Sequence, residues 1–136
     1  MKRILVAVVS AAFTLLPVAA SADIQNLTID SQVEFIDGNT VRVTGTITCD
    51  AGDNFRVGIP TGGLTTNLGT TSRRAGPVNG NCTGSAQTWR LLVQRAAGPA
   101  FQPGTTGEVT ATAQTGTPGD TGPNDTEQAT QAVTID

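Results

Sequence analysis

The chain has 136 residues, eleven acidic against eight basic side chains, no histidine and no tyrosine, for a formal charge of −3. Lys2 is the only lysine, so beyond the first residues the familiar histidine triads, histidine zinc sites and Schiff-base lysines are excluded. The acid excess also argues against nucleic acid, whose binders need a basic face to release counterions.

Lys2 and Arg3 precede the apolar run Ile4 to Leu16, and Pro17 leads into Ala20-Ser21-Ala22, a small-residue cleavage signal. Residues 1–22 are expected to be a secretory signal peptide cut after Ala22. The run is too short to span a membrane comfortably, and no second apolar segment follows it. A secreted, extracellular protein is expected, or a periplasmic one in a host with an outer membrane. Residues 23–136 should then form a single domain with eleven acids, six bases (all arginine) and a charge of −5.

Leu27, Ile29, Val33 and Phe35 occupy odd positions, which predicts one strand with a break near Asp30, or two short ones. Asp37-Gly38-Asn39 supplies a hairpin turn into Thr40 to Cys49. There Val41, Val43, Ile47 and Cys49 share one face and threonines and Arg42 the other, the period of a strand with one wet side. Asp50 to Asp53 reads as a turn, and Phe55, Val57 and Ile59 as the next inward set, ended by Pro60. Thr61 to Asn81 is rich in Gly, Thr and Asn, and predicts a weak strand around Leu64 to Leu68 followed by a loop. The Arg73-Arg74 doublet falls in that loop and reads as solvated.

In Gln87 to Gln94, Trp89, Leu91 and Val93 face inward. Gly98-Pro99 and Pro103-Gly104 are turns, with Phe101 between them as a plug at one end of the core. Val109, Ala111 and Ala113 alternate with polar residues, Gly116 to Asn124 is a loop, and Thr126 to Ile135 is the last strand. The predicted core is Val43, Ile47, Phe55, Val57, Trp89, Leu91, Val93, Phe101 and Val109. About seven strands at intervals of about ten residues predict an all-β, antiparallel, immunoglobulin-like sandwich. The two cysteines, Cys49 and Cys82, are expected to pair, since an exported chain meets an oxidising compartment and their spacing fits no usual zinc motif.

Gly45-Thr46-Ile47-Thr48-Cys49, Cys82 followed by Gln87-Thr88-Trp89, Phe101-Gln102-Pro103-Gly104 and the Val109 strand resemble a family of small secreted actinobacterial proteins of unknown function. The resemblance covers roughly Val41 to Ala113 and implies export and an immunoglobulin-like sandwich, with no activity attached. Trp89 follows the second cysteine, whereas the tryptophan of a true immunoglobulin domain lies between the two.

Paired acids remain as catalytic candidates, since a glycosidase needs only two carboxyl groups about 5 to 9 Å apart. Asp50 with Asp53, or Asp120 with Asp125 and Glu127, could fill that role or bind calcium through oxygen. All fall in or beside loops, neither set has the EF-hand spacing, and turn acids are usually solvated; no metal, cofactor or catalytic residue is assigned. The Gly/Pro triplets at 116–124 read as a flexible loop, and three Asn-x-Thr sequences, at Asn26, Asn81 and Asn124, arise readily in a threonine-rich chain.

The expected function is a non-catalytic exported binding domain for a protein, glycan or small molecule. A small ligand would meet the surface around Gly62 to Thr71, and the shortage of aromatics tells against a carbohydrate platform. The alternative is a cell-surface assembly subunit, self-associating through the edge of Asp23 to Asp30 or of the last strand. A small-molecule carrier or weak carboxylate hydrolase comes third.

Overall fold

A computed structural model describes residues 23–119 and 122–136. The expected signal peptide, and Asp120 among the candidate acids, lie outside the described residues. The fold is all-β: β1 (Ile24–Ile29), β2 (Gln32–Asp37), β3 (Thr40–Cys49), β4 (Asn54–Ile59), β5 (Leu64–Thr66), β6 (Thr71–Ser72), β7 (Ala75–Asn81), β8 (Gln87–Ala97), β9 (Thr106–Gly116) and β10 (Asp125–Ile135).

Local chemistry sets the early elements. Asp30 and Ser31 break the first run into two strands, both paired to the same edge of β3. The Asp37 carboxylate accepts the Asn39 amide at 2.8 Å and closes the β2–β3 hairpin, as an Asx turn does. Gly52 takes a φ of 97° in the turn between β3 and β4, a conformation costly for any residue with a Cβ.

The strands are hydrogen-bonded in the order β10-β2-β3-β8-β6-β5-β9, and β9 pairs back to β10 over ten residues, so the path closes on itself. β4 takes the stretch of β9 beyond β5, with Arg56 opposite Gln114 and Gly58 opposite Thr112, and β7 lies outside β4. The expected antiparallel arrangement is corrected at one seam. β2 and β10 run parallel, with Thr134 opposite Gln32 and Ile135 opposite Val33. Parallel neighbours need a long crossover, and here the intervening strands supply it.

The expected count of about seven strands rises to ten, largely because Thr61 to Asn81 carries β5, β6 and β7 where a weak strand and a loop were expected. β7 contributes only Ala75 and the half-buried Val78 to the core, so its sequence has no hydrophobic period to announce it. It forms because β4 offers an edge, and because Gly80 leaves room for a ring. A Cβ there would sit 2.5 Å from Phe55 Cζ.

All nine predicted core residues are buried, none more than 7% exposed, together with Val33, Val41, Ile59, Leu64, Val133 and Ile135. The gap at Gly45 in the β3 alternation is filled from β8: Gly45 lies opposite Trp89, and a Cβ on it would be 2.5 Å from the indole Cζ2. Cys49 and Cys82 are bridged, with Cα atoms 5.3 Å apart. The bridge joins the end of β3 to the segment after β7, and Gly84 donates to the Cys49 carbonyl at 3.0 Å beside it.

Candidate functional site

The candidate acids separate. Asp50 and Asp53 sit in the turn after β3, where Asp23 joins them: carboxylate oxygens of the three lie within 4.8 Å of one another. The Asp50 amide donates to the Asp23 carbonyl at 2.9 Å and the Asp53 amide to the Asp50 carbonyl at 3.2 Å, so the backbone gathers the acids. Asp125 approaches from β10, its Oδ2 accepting the Ile24 amide at 3.2 Å. Partial loss of hydration, then the charges of Asp53, Asp50 and Asp125, hold the Asp23 carboxyl above its ordinary value. Glu127 stays apart and exposed on β10.

This group does not have the form of a glycosidase pair. Its members crowd one turn, and Gln25 and Thr117 hydrogen-bond two of them. Three or four carboxylates offer oxygen for a hard cation, but calcium takes six to eight ligands and crowding of acids is common without an ion. Both cysteines are consumed by the bridge.

On the surface around Gly62 to Thr71, where a small ligand would be expected, Gly62, Thr65, Asn67, Leu68 and Gly69 are exposed and Gly63, Leu64 and Thr70 are buried. Leu64 is fully buried and its amide donates to Ser72 Oγ at 3.0 Å. The Thr66 hydroxyl accepts from the Leu68 and Thr70 amides, and the Thr70 hydroxyl donates to the Pro99 carbonyl at 2.7 Å. Ile36, Leu68 and Leu92 are exposed apolar residues on separate elements, which is normal for a surface.

The arginines divide more informatively. Arg42 pairs with Glu34 at 2.7 Å across β2 and β3. Arg95 is locked, with Nε and Nη2 on Asn39 Oδ1 at 3.0 and 2.6 Å and Nη1 on the Gly98 carbonyl at 3.0 Å. Arg73 Nε donates to the Arg95 carbonyl at 3.2 Å. The side chains of Arg56, Arg74 and Arg90 make no hydrogen bond or ion pair with any described residue.

Two of those three, Arg56 and Arg74, line one hollow of about 290 Å³ on the outward face of β7, β4 and β9. Thr112 and Gln114 of β9 line one side and Pro77 of β7 the other, with Gly58 between them and Pro60 continuing β4 at one end. Arg56 also lines a neighbouring hollow of about 430 Å³, edged by the carboxamides of Asn54, Asn79 and Asn81. No described acid lines either hollow; the nearest acid along β9, Glu108, pairs with Thr65 on β5. Sequence reasoning passed over this site because its two cations are eighteen positions apart and only the strand pairing of β4 with β7 brings them together. The alternation Arg56-Val57-Gly58-Ile59, which places a glycine between outward residues, was the available signal.

No protein-family model matches the chain, and no curated protein matches it by sequence. No helix among the described residues is long and apolar enough to cross a membrane.

Proposed function

We propose that this is an exported, non-catalytic interaction domain that meets an acidic partner through the outward face of β7, β4 and β9. The observation that carries this reading is the pair of unpartnered guanidiniums, Arg56 and Arg74, on one hollow of a chain whose acids lie elsewhere. Arginine is enriched at the energetic centres of interfaces, and free guanidiniums there favour anionic partners. In this reading the strands form an immunoglobulin-like sandwich, and the chain is a relative of the small secreted actinobacterial proteins that its motifs resemble. The Cys49–Cys82 bridge supports export, because disulfides persist in oxidising compartments.

A second reading, assembly through strand edges, draws on β1, which pairs only with β3. Beside it, however, Asp125 holds the Ile24 amide and Glu127 is an exposed charge on β10, devices that blunt an edge against pairing.

The test is to pass culture filtrate of the native host over immobilised wild-type protein, Arg56→Glu and Arg90→Glu. Material retained by the wild type and by Arg90→Glu but lost from Arg56→Glu supports this face as the binding surface. Equal retention by all three sinks it. Multimers in native mass spectra that are unaffected by Arg56→Glu would favour the edge reading.

A further inference from the structure

The outward positions of β4 are Asn54, Arg56 and Gly58, continued by Pro60. Gly58 has no side chain, so the sheet surface dips there and backbone forms the floor of the hollow. The dip is narrow: a Cβ on Gly58 would sit 3.3 Å from the Ala75 carbonyl oxygen and 3.9 Å from Pro77 Cα. Arg56 stands at one end, opposite Gln114, and Arg74 at the other, next to Ala75, which pairs with Ile59. The two cations are thus set apart along the strand by about three to four residues, roughly 10 to 13 Å of backbone.

The Cα positions of the two cations are set apart along the strand, so a ligand that extends along β4 can meet both. The lining has no aromatic ring, so a neutral sugar would find no stacking platform. Two anionic groups spaced along a narrow, extended ligand fit both features. In an extended peptide, alternate side chains share a face at roughly 7 Å intervals, so carboxylates two or four residues apart can reach both guanidiniums. Each planar guanidinium can take a carboxylate through two parallel hydrogen bonds. The Thr112 hydroxyl, level with Gly58, and the Gln114 carboxamide, level with Arg56, also line the trough and can bond a peptide main chain.

We infer that the trough over Gly58 receives an extended acidic segment of a partner protein, laid along β4 with its carboxylates on Arg56 and Arg74. This rests on the reading of the β7, β4 and β9 face as the binding surface.

The experiment is a titration of the ¹⁵N-labelled protein with an eight-residue peptide of alternating glutamate and alanine. Alternating glutamine and alanine, an oligogalacturonate and inorganic phosphate serve as comparators. The glutamate peptide is expected to move the amides of Gly58, Thr112 and Gln114, with an affinity that falls as salt rises. Arg56→Gln and Arg74→Gln should each weaken binding about three- to tenfold, while Arg90→Gln leaves it unchanged. Gly58→Leu, which fills the trough without altering charge, should remove binding, with its melting curve recorded alongside to verify folding. No shift with the glutamate peptide, an equal response to the glutamine peptide, or equal weakening by Arg90→Gln overturns the inference. If oligogalacturonate or phosphate shifts these amides and the peptide does not, the acid-binding face stands and the peptide falls. Arg56-dependent retention of host material, without any peptide response, has the same meaning.

Discussion

Gly45→Ala tests whether the core is built as described. The added Cβ would lie 2.0 Å from the Thr28 carbonyl oxygen and 2.5 Å from Trp89 Cζ2, so it meets an obstacle on each side. Neither yields easily. Thr28 is fixed by its hydroxyl, which lies 2.6 Å from that of Thr46 and accepts the Thr46 amide at 3.1 Å, and Trp89 is 2% exposed. Overpacking a core typically costs about 1 to 3 kcal/mol, and with backbone on one side and a buried ring on the other the loss should fall at the upper end, about 3 kcal/mol. For a domain of this size that lowers Tm by about 12 to 20 °C. Urea unfolding followed by tryptophan emission measures it, since Trp89 is the only indole. In a Trp89→Leu background one obstacle is gone, so the same alanine should cost less by about 1 kcal/mol or more, read by far-UV circular dichroism. A loss under about 1 kcal/mol with unshifted emission, or strict additivity, would refute the account of Gly45 as the seat of the indole.

The bridge closes a loop with a sequence separation of 33, worth about 3.5 to 4 kcal/mol in loop entropy, so Cys49→Ala should lose about 2 to 5 kcal/mol. A variant melting within about a degree or two of the parent would show that the bridge is not a principal support. The Asp23 carboxyl, raised above its ordinary 3.8 by desolvation and then by Asp53, Asp50 and Asp125, is bound to its proton more tightly in the native state than in the unfolded chain. Its contribution is therefore fully present below the ordinary aspartate range and is lost as pH climbs through the raised native value, the reverse of a salt-bridged acid. Asp53→Asn should flatten that part of the stability profile in chemical denaturation between about pH 3 and 6; an unchanged slope would contradict the crowding. Cleavage after Ala22 would place a cationic α-amino group on Asp23 among these carboxylates. Protein beginning at Asp23 should accordingly be more stable near neutral pH than the same chain with two added N-terminal glycines, and the gap should shrink with salt.

The sequence and the fold agree where residues alternate and part where they do not. β3, β4 and β9 carry their apolar residues at period two and bury them, and β8 does the same through Trp89, Leu91 and Val93 while leaving Leu92 exposed. β7, Ala75-Gly-Pro-Val-Asn-Gly-Asn, has no such period, because an outer strand flanking one neighbour buries little. The parallel seam escaped for a different reason. Only two residue pairs of β2 and β10 meet, at the start of β2 and the end of β10, and no local pattern encodes which distant edge a terminal strand will reach. Asp50 and Asp53 were legible as a pair, whereas Asp23 and Asp125 join them only through the pairing of β1 with β3 and the approach of β10.

The same physical device recurs at three places, and it connects the fold to the proposed function. Glycine within a strand normally weakens it, since it packs nothing and adds entropy to the unfolded chain. Here Gly45 admits the Trp89 ring, Gly80 admits the Phe55 ring, and Gly58 admits no described side chain at all. At the first two positions the space is filled from within, so the loss is offset by an aromatic burial. At Gly58 the space opens outward between two guanidiniums that the rest of the chain leaves without partners. The β7 backbone takes part of the room at Gly58, the Ala75 carbonyl oxygen lying 3.3 Å from where a Cβ would sit, and under the proposed function the remaining space, with the charges beside it, is where an acidic segment lies.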